Sequence, residues 1–156
     1  MENRIHRDPI AGDIPWHRPG LSDAGRVIRA YMVVDRCDIV PCITAVPLLL
    51  DALSDTLGYG TVTFLGAEVD GRPVYVASAY GEGNVVALDA SGGVSVRGGM
   101  AVMSVTGDGG PAPLDHGIGD ILMDRTAMGC FDTGDGHHSS WFVDGLEVVW
   151  EGTVCP

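Results

Sequence analysis

Residues 61–80 read TVTFLGAEVDGRPVYVASAY, and this stretch decides the fold. Two runs rich in Val, Thr, Phe and Tyr flank Asp70-Gly71. Such residues favour strands. An Asp-Gly pair between two strands is a strong hairpin signal, because both turn positions take the left-handed backbone that matches strand twist.

Downstream the same grammar repeats. NVVALDA follows Gly81–Gly83, VSVRG follows Ser91-Gly92-Gly93, and MAVMSV follows Gly98-Gly99. Short strands at this spacing predict an antiparallel meander over 61–106, open or closed into a partial barrel. Within it, GRPVYVASAYGEGNVVALDASGGV (71–94) resembles one blade unit of the PQQ-type β-propeller repeat. The resemblance covers 24 residues and occurs once, whereas a propeller needs several blades. It implies hairpin grammar and no function.

Upstream, Val27 to Val34 (VIRAYMVV) reads as a strand. One helix is expected over 47–57, with Pro47 in its first turn and Thr44 as the cap. Leu49, Ala52, Leu53, Thr56 and Leu57 share one face at helical spacing, and Asp51, Ser54 and Asp55 share the other. Gly58 is the natural stop. Residues 1–25 carry Pro9, Pro15, Pro19, Gly12, Gly20 and Gly25, which predicts an irregular arm pinned through Ile14 and Trp16. Gly107–Gly119 reads as a Gly/Pro loop. ILMDR, SSWFV and LEVVW follow as short segments, the last an edge or closing strand. The expectation is therefore α+β: a mostly antiparallel sheet with one main helix around 47–57 packed on it, in a single β-rich domain over 26–156.

Charge narrows the partners. The chain has 21 Asp and Glu against nine basic residues, every one Arg, for a net charge of −12. Codon bias in a GC-rich bacterial genome explains the missing Lys. Met1–Arg36 nets +1 and the other 120 residues net −13. Such a field repels nucleic acid and anionic membranes and attracts cationic partners. The first 20 residues hold no apolar signal region, and no run approaches the roughly 20 apolar residues of a membrane span. A cytoplasmic protein is expected. Cys37, Cys42, Cys130 and Cys155 form no CxxC, so free thiols are expected in a reducing compartment.

Candidate chemistry gathers in the C-terminal third. Asp108–Glu151 holds nine acids, one Arg and three of five histidines. DTGDGHHSS is expected to be an exposed loop. A divalent metal would take His137, or His138, with Asp132 and Asp135, joined by Asp115 and His116, since imidazole with carboxylate suits transition metals. The spacing matches neither HExxH nor an EF-hand, so a solvated loop is the stronger reading and no cofactor is expected. Ser139 or Ser140 with His116 or His138 would make a nucleophilic pair, but GxSxG is absent. Cys130 reads as a packed thiol. Asp35, Cys37, Asp38 and Cys42 read as a turn. GEGNVV and GDGGPA are glycine-rich but acidic, which disfavours phosphate.

Two functions are expected. The first is binding of a cationic protein partner, in the manner of an inhibitor or immunity protein. The second is a small enzyme (isomerase, cyclase or hydrolase) with a small-molecule cavity in its sheet. There Tyr31, Tyr75, Tyr80, Arg72 and Arg97 would stand at the mouth, and His116 with the acids, Asp115 among them, would move protons.

Overall fold

The structure is a computed structural model that describes residues 14–33, 41–58, 60–80, 85–87, 95–97, 99–133 and 136–153. At 80, 85–87, 95–97, 127–133, 136–142 and 153 the description is of backbone only.

The hairpin forms as read. β1 is Val27–Val33, β2 Cys42–Pro47, β3 Thr61–Val69 and β4 Arg72–Tyr80. β3 and β4 pair from Thr61↔Tyr80 to Val69↔Arg72 without a slip. Asp70 and Gly71 sit at φ 51° and 75°, both left-handed, as a two-residue turn between twisted strands requires.

The remaining strands are β5 Val85–Ala87, β6 Ser95–Arg97, β7 Met100–Val105, β8 Pro111–Ala112, β9 Thr126–Thr133, β10 Gly136–Val143 and β11 Leu146–Thr153. The main sheet is antiparallel and runs β11-β3-β4-β7-β1-β2, with β8 also paired to β7. Its two edges do not meet, so no barrel closes. A second sheet runs β6-β5-β10-β9, with β5 parallel to β10.

The five-strand meander is thus corrected. β4 pairs directly with β7, and β5 with β6 joins the other sheet. The seat beside β4 is covered on both faces. Met100–Met103 fill it with four consecutive buried side chains, whereas β5 and β6 are three residues long. The stretch resembling a propeller blade is consequently divided between two sheets.

The helices occupy opposite faces. α1 is Leu50–Leu57 and α2 is His116–Arg125. Leu53 and Leu57 of α1 are fully buried against Phe64, Tyr75, Ala77 and Met103. Ile118 and Leu122 of α2 pack on Tyr31, Leu65, Val76 and Val102. Burying one such Leu contributes about 1.5–3 kcal/mol. Central strands lie between two apolar layers, so Val74 to Ala79 are all buried and alternation disappears.

α1 begins three residues later than expected. Pro47 ends β2 opposite Val27, and Thr44 lies opposite Ala30 in the same strand, so neither opens the helix. β2 is a sheet edge, where a residue without an N–H costs no ladder bond. Leu49 is the N-cap and makes no side-chain capping bond. Gly58 ends the helix in the left-handed region at φ 107°, as expected.

α2 lies where a loop and the segment ILMDR were expected. Its two glycines disguise it, yet the signals are present: Asp115 before it, then Ile118 and Leu122 four apart. The Asp115 carboxylate accepts from the Gly117 and Ile118 amides at 3.1 and 3.3 Å. A Cβ at Gly119 would sit 3.3 Å from both Ile43 and Leu114, so glycine lets the helix settle onto the sheet.

The expected 132–140 loop is also corrected. Asp132 and Thr133 end β9, and Gly136–Ser140 begin β10, in register from Gly136↔Thr133 to Val143↔Thr126. Asp135 lies outside the described residues. Among the described residues no helix is long and apolar enough to cross a membrane.

Candidate functional site

The start of α2 gathers the first candidates. β1 contributes Arg29, β7 Ser104 and β4 Arg72. The Asp115 amide donates to Ser104 Oγ at 2.9 Å, and the Leu114 amide to the Arg29 carbonyl at 2.9 Å. His116 Nε2 lies 3.3 Å from the Arg29 guanidinium, which donates to it. Arg72 also approaches Gly117; its Nη1 stands 3.0 Å from where a Cβ would be. Asp115 and His116 are therefore brought together with two guanidinium groups. Asp115 is occupied with capping, and one His116 ring nitrogen is held by Arg29. This is an arrangement that builds the helix end.

The metal candidates divide differently. In the β9–β10 hairpin His137 stands opposite Asp132, and His138 opposite Phe131. Ser139 stands opposite Cys130 and Ser140 opposite Gly129. The side chains of these residues, and Asp135, Asp35, Cys37, Asp38 and Cys155 altogether, lie outside the described residues. Among the described residues no group of three or more His, Cys, Asp or Glu converges as a metal site. Cys42 is free and exposed on β2.

The cavity mouth expected of an enzyme is corrected. Tyr31 and Tyr75 are both fully buried, but on opposite faces of the sheet, Tyr31 beneath α2 and Tyr75 beneath α1. They share no opening. Strand alternation separates odd from even positions, and the register of β1 against β4 through β7 decides which face each takes. Burial raises both hydroxyls above the usual tyrosine value, Tyr75 by the larger amount. Thr126 Oγ1 donates to the Leu122 carbonyl at 2.7 Å and so receives the Tyr31 hydroxyl proton. Tyr75 donates to the His17 carbonyl at 2.8 Å. The Tyr80 and Arg97 side chains lie outside the described residues.

The sheet margin holds a groove that the sequence did not suggest. The segment before β1 crosses the α1 face. Trp16 packs over Gly66, stacks on Trp150 and tilts against Tyr75. A short 3-10 turn, Leu21–Asp23, follows. The buried Asp23 carboxylate accepts from the Gly20 amide and from Arg26, each at 2.8 Å, and the Leu48 amide donates to the Arg26 carbonyl. These bonds fix the segment as one wall. The start of α1 forms the other. Between them lies a groove of about 380 Å³ lined by Arg18, Leu21, Leu48, Leu49, Leu50 and Phe64 among others. Leu21 is 97% exposed and Leu49 50%.

Acidic side chains mark the exposed helix surfaces. Asp51 and Asp55 on α1, and Asp120 and Asp124 on α2, are all exposed and four residues apart. Among the described residues the ion pairs are Arg26–Asp23 and Arg125–Asp70, so these four carboxylates have no cationic neighbour in contact.

Compared with known proteins, the chain matches no family model, no curated protein and no solved structure.

Proposed function

We propose that this protein acts by binding a cationic protein partner, as inhibitor and immunity proteins do. The observation that carries this reading is the pair of like charges on each helix. Carboxylates at i and i+4 repel, at a cost of about 0.2–0.5 kcal/mol per pair. Asp55 and Asp124 also stand in the last turns, where the helix dipole opposes negative charge. Asp51 stands in the first turn of α1, where the dipole favours it, but self-stability does not account for the other three acids; a partner bringing Lys or Arg does. Complementary charge raises the encounter rate and rejects wrong partners.

The test is affinity capture from the native host at low salt, with wild type, Asp51→Asn/Asp55→Asn and Asp120→Asn/Asp124→Asn as baits. A basic protein retained by wild type and lost with one of the double variants supports the reading. Retention of no basic protein, or of the same proteins by all three baits, overturns it.

A further inference from the structure

We propose that the groove between the 3-10 turn and the start of α1 is a binding site for a small amphipathic carboxylate, an aliphatic chain ending in one negative charge. The inference does not rest on the cationic-partner reading and uses different residues.

The first argument is shape and lining. Ligand pockets commonly span about 300–1,000 Å³ and are mostly apolar with a few polar groups that orient the ligand. This groove holds about 380 Å³, and four leucines and Phe64 line most of it. The lining contains no acid, in a chain whose acids outnumber its basic residues by 21 to nine.

The second argument is charge. Two arginines belong to the wall segment. Arg26 is committed to Asp23 at 2.8 Å. Arg18 lines the groove, is exposed, and forms no ion pair among the described residues. Among the residues that line the groove Arg18 is the one that carries a charge, so its guanidinium sets the sign of the site. Its planar fork of donors fits a carboxylate. Screening beyond a Debye length of about 8 Å limits the repulsion that the acidic body exerts on an incoming anion.

The third argument is preorganisation. The wall is held by Tyr75 to His17, by Gly20 and Arg26 to Asp23, and by Leu48 to Arg26, all at 2.8–2.9 Å. The ligand therefore meets a formed surface, and little ordering opposes binding.

Calorimetry would compare decanoate, decanol and decyltrimethylammonium below their aggregation concentrations, then octanoate and hexanoate. Decanoate should bind about fivefold more tightly than decanol, the upper range for an exposed ion pair. Removing methylenes should weaken binding roughly fourfold each. Arg18→Gln should bring decanoate down to the decanol value and leave decanol unchanged. Leu49→Asp should weaken both. A preference for the cationic amphiphile, an unchanged decanoate affinity in Arg18→Gln, or no saturable binding of any carboxylate would overturn the proposal. Circular dichroism of both variants, whose changes are at exposed positions, establishes that they are folded.

Discussion

The indole of Trp16 lies nearly parallel to that of Trp150, with ring centroids 6.2 Å apart and planes 14° apart, above a strand position that has no side chain because residue 66 is glycine. A methyl group at position 66 would be driven into the Trp16 ring. Gly66→Ala should therefore destabilise the protein by about 1–3 kcal/mol, the usual cost of overpacking. In a Trp16→Ala background the same change should cost close to nothing. Urea unfolding of the two single variants and the double variant gives the coupling directly. Additive effects would show that the aromatic clamp does not rest on Gly66.

Asp115 caps α2 with two backbone bonds, so its removal tests the helix end independently of any chemistry at His116. Asp115→Ala should cost about 1 kcal/mol. For a chain of this size that corresponds to a fall in Tm of about 2–4 °C. Asp115→Asn, which keeps an acceptor oxygen, should retain most of the stability. Thermal melts of the two variants decide between capping and a purely electrostatic contribution.

Tyr31 and Tyr75 should give the protein an alkaline limit. Burial raises both folded pKa values above the unfolded value of about 10. The sign follows: above that pH the unfolded chain has released protons that the folded chain still holds, so stability falls as pH rises. The contribution is fully present below pH of about 10 and is lost as pH climbs through the folded values. The urea midpoint should drop between pH 9 and pH 11, and Tyr75→Phe should drop less. An equal drop in the variant would assign the alkaline limit to other groups.

The helix carboxylates should act on encounter more than on residence. For the proposed cationic partner, Asp51→Asn/Asp55→Asn or Asp120→Asn/Asp124→Asn should slow association and flatten its salt dependence, with a smaller change in dissociation. Stopped-flow association at several ionic strengths measures both. An association rate indifferent to salt would remove electrostatic steering from the account.

Much of the backbone was legible because its signals are local. Asp70-Gly71 needs only its own two dihedral angles to turn, so β3 and β4 follow from twenty residues. Gly58 stops α1 for the same reason. The beginning of α1 was misread because Pro47 suits either a helix start or the end of an edge strand, and only the pairing Val27↔Pro47 selects the strand. The helix after Asp115 was hidden by Gly117 and Gly119, which weaken helix propensity; Gly119 is there for the close approach of Ile43 and Leu114. Of the candidate site, Asp115 and His116 do converge, with arginines from two strands that no spacing rule connects to them.

By itself the sequence determined the mostly antiparallel α+β character, the turns at Asp70-Gly71 and Gly58, and the acidic surface, since each depends on composition or on neighbours along the chain. The tertiary structure alone decided that β7 sits beside β4, that Tyr31 and Tyr75 face opposite ways, and that Arg18 lines a groove with four leucines. Those outcomes depend on which distant segments compete for the same buried seat. That competition is settled by apolar surface covered across the whole sheet, a quantity no single stretch of sequence contains.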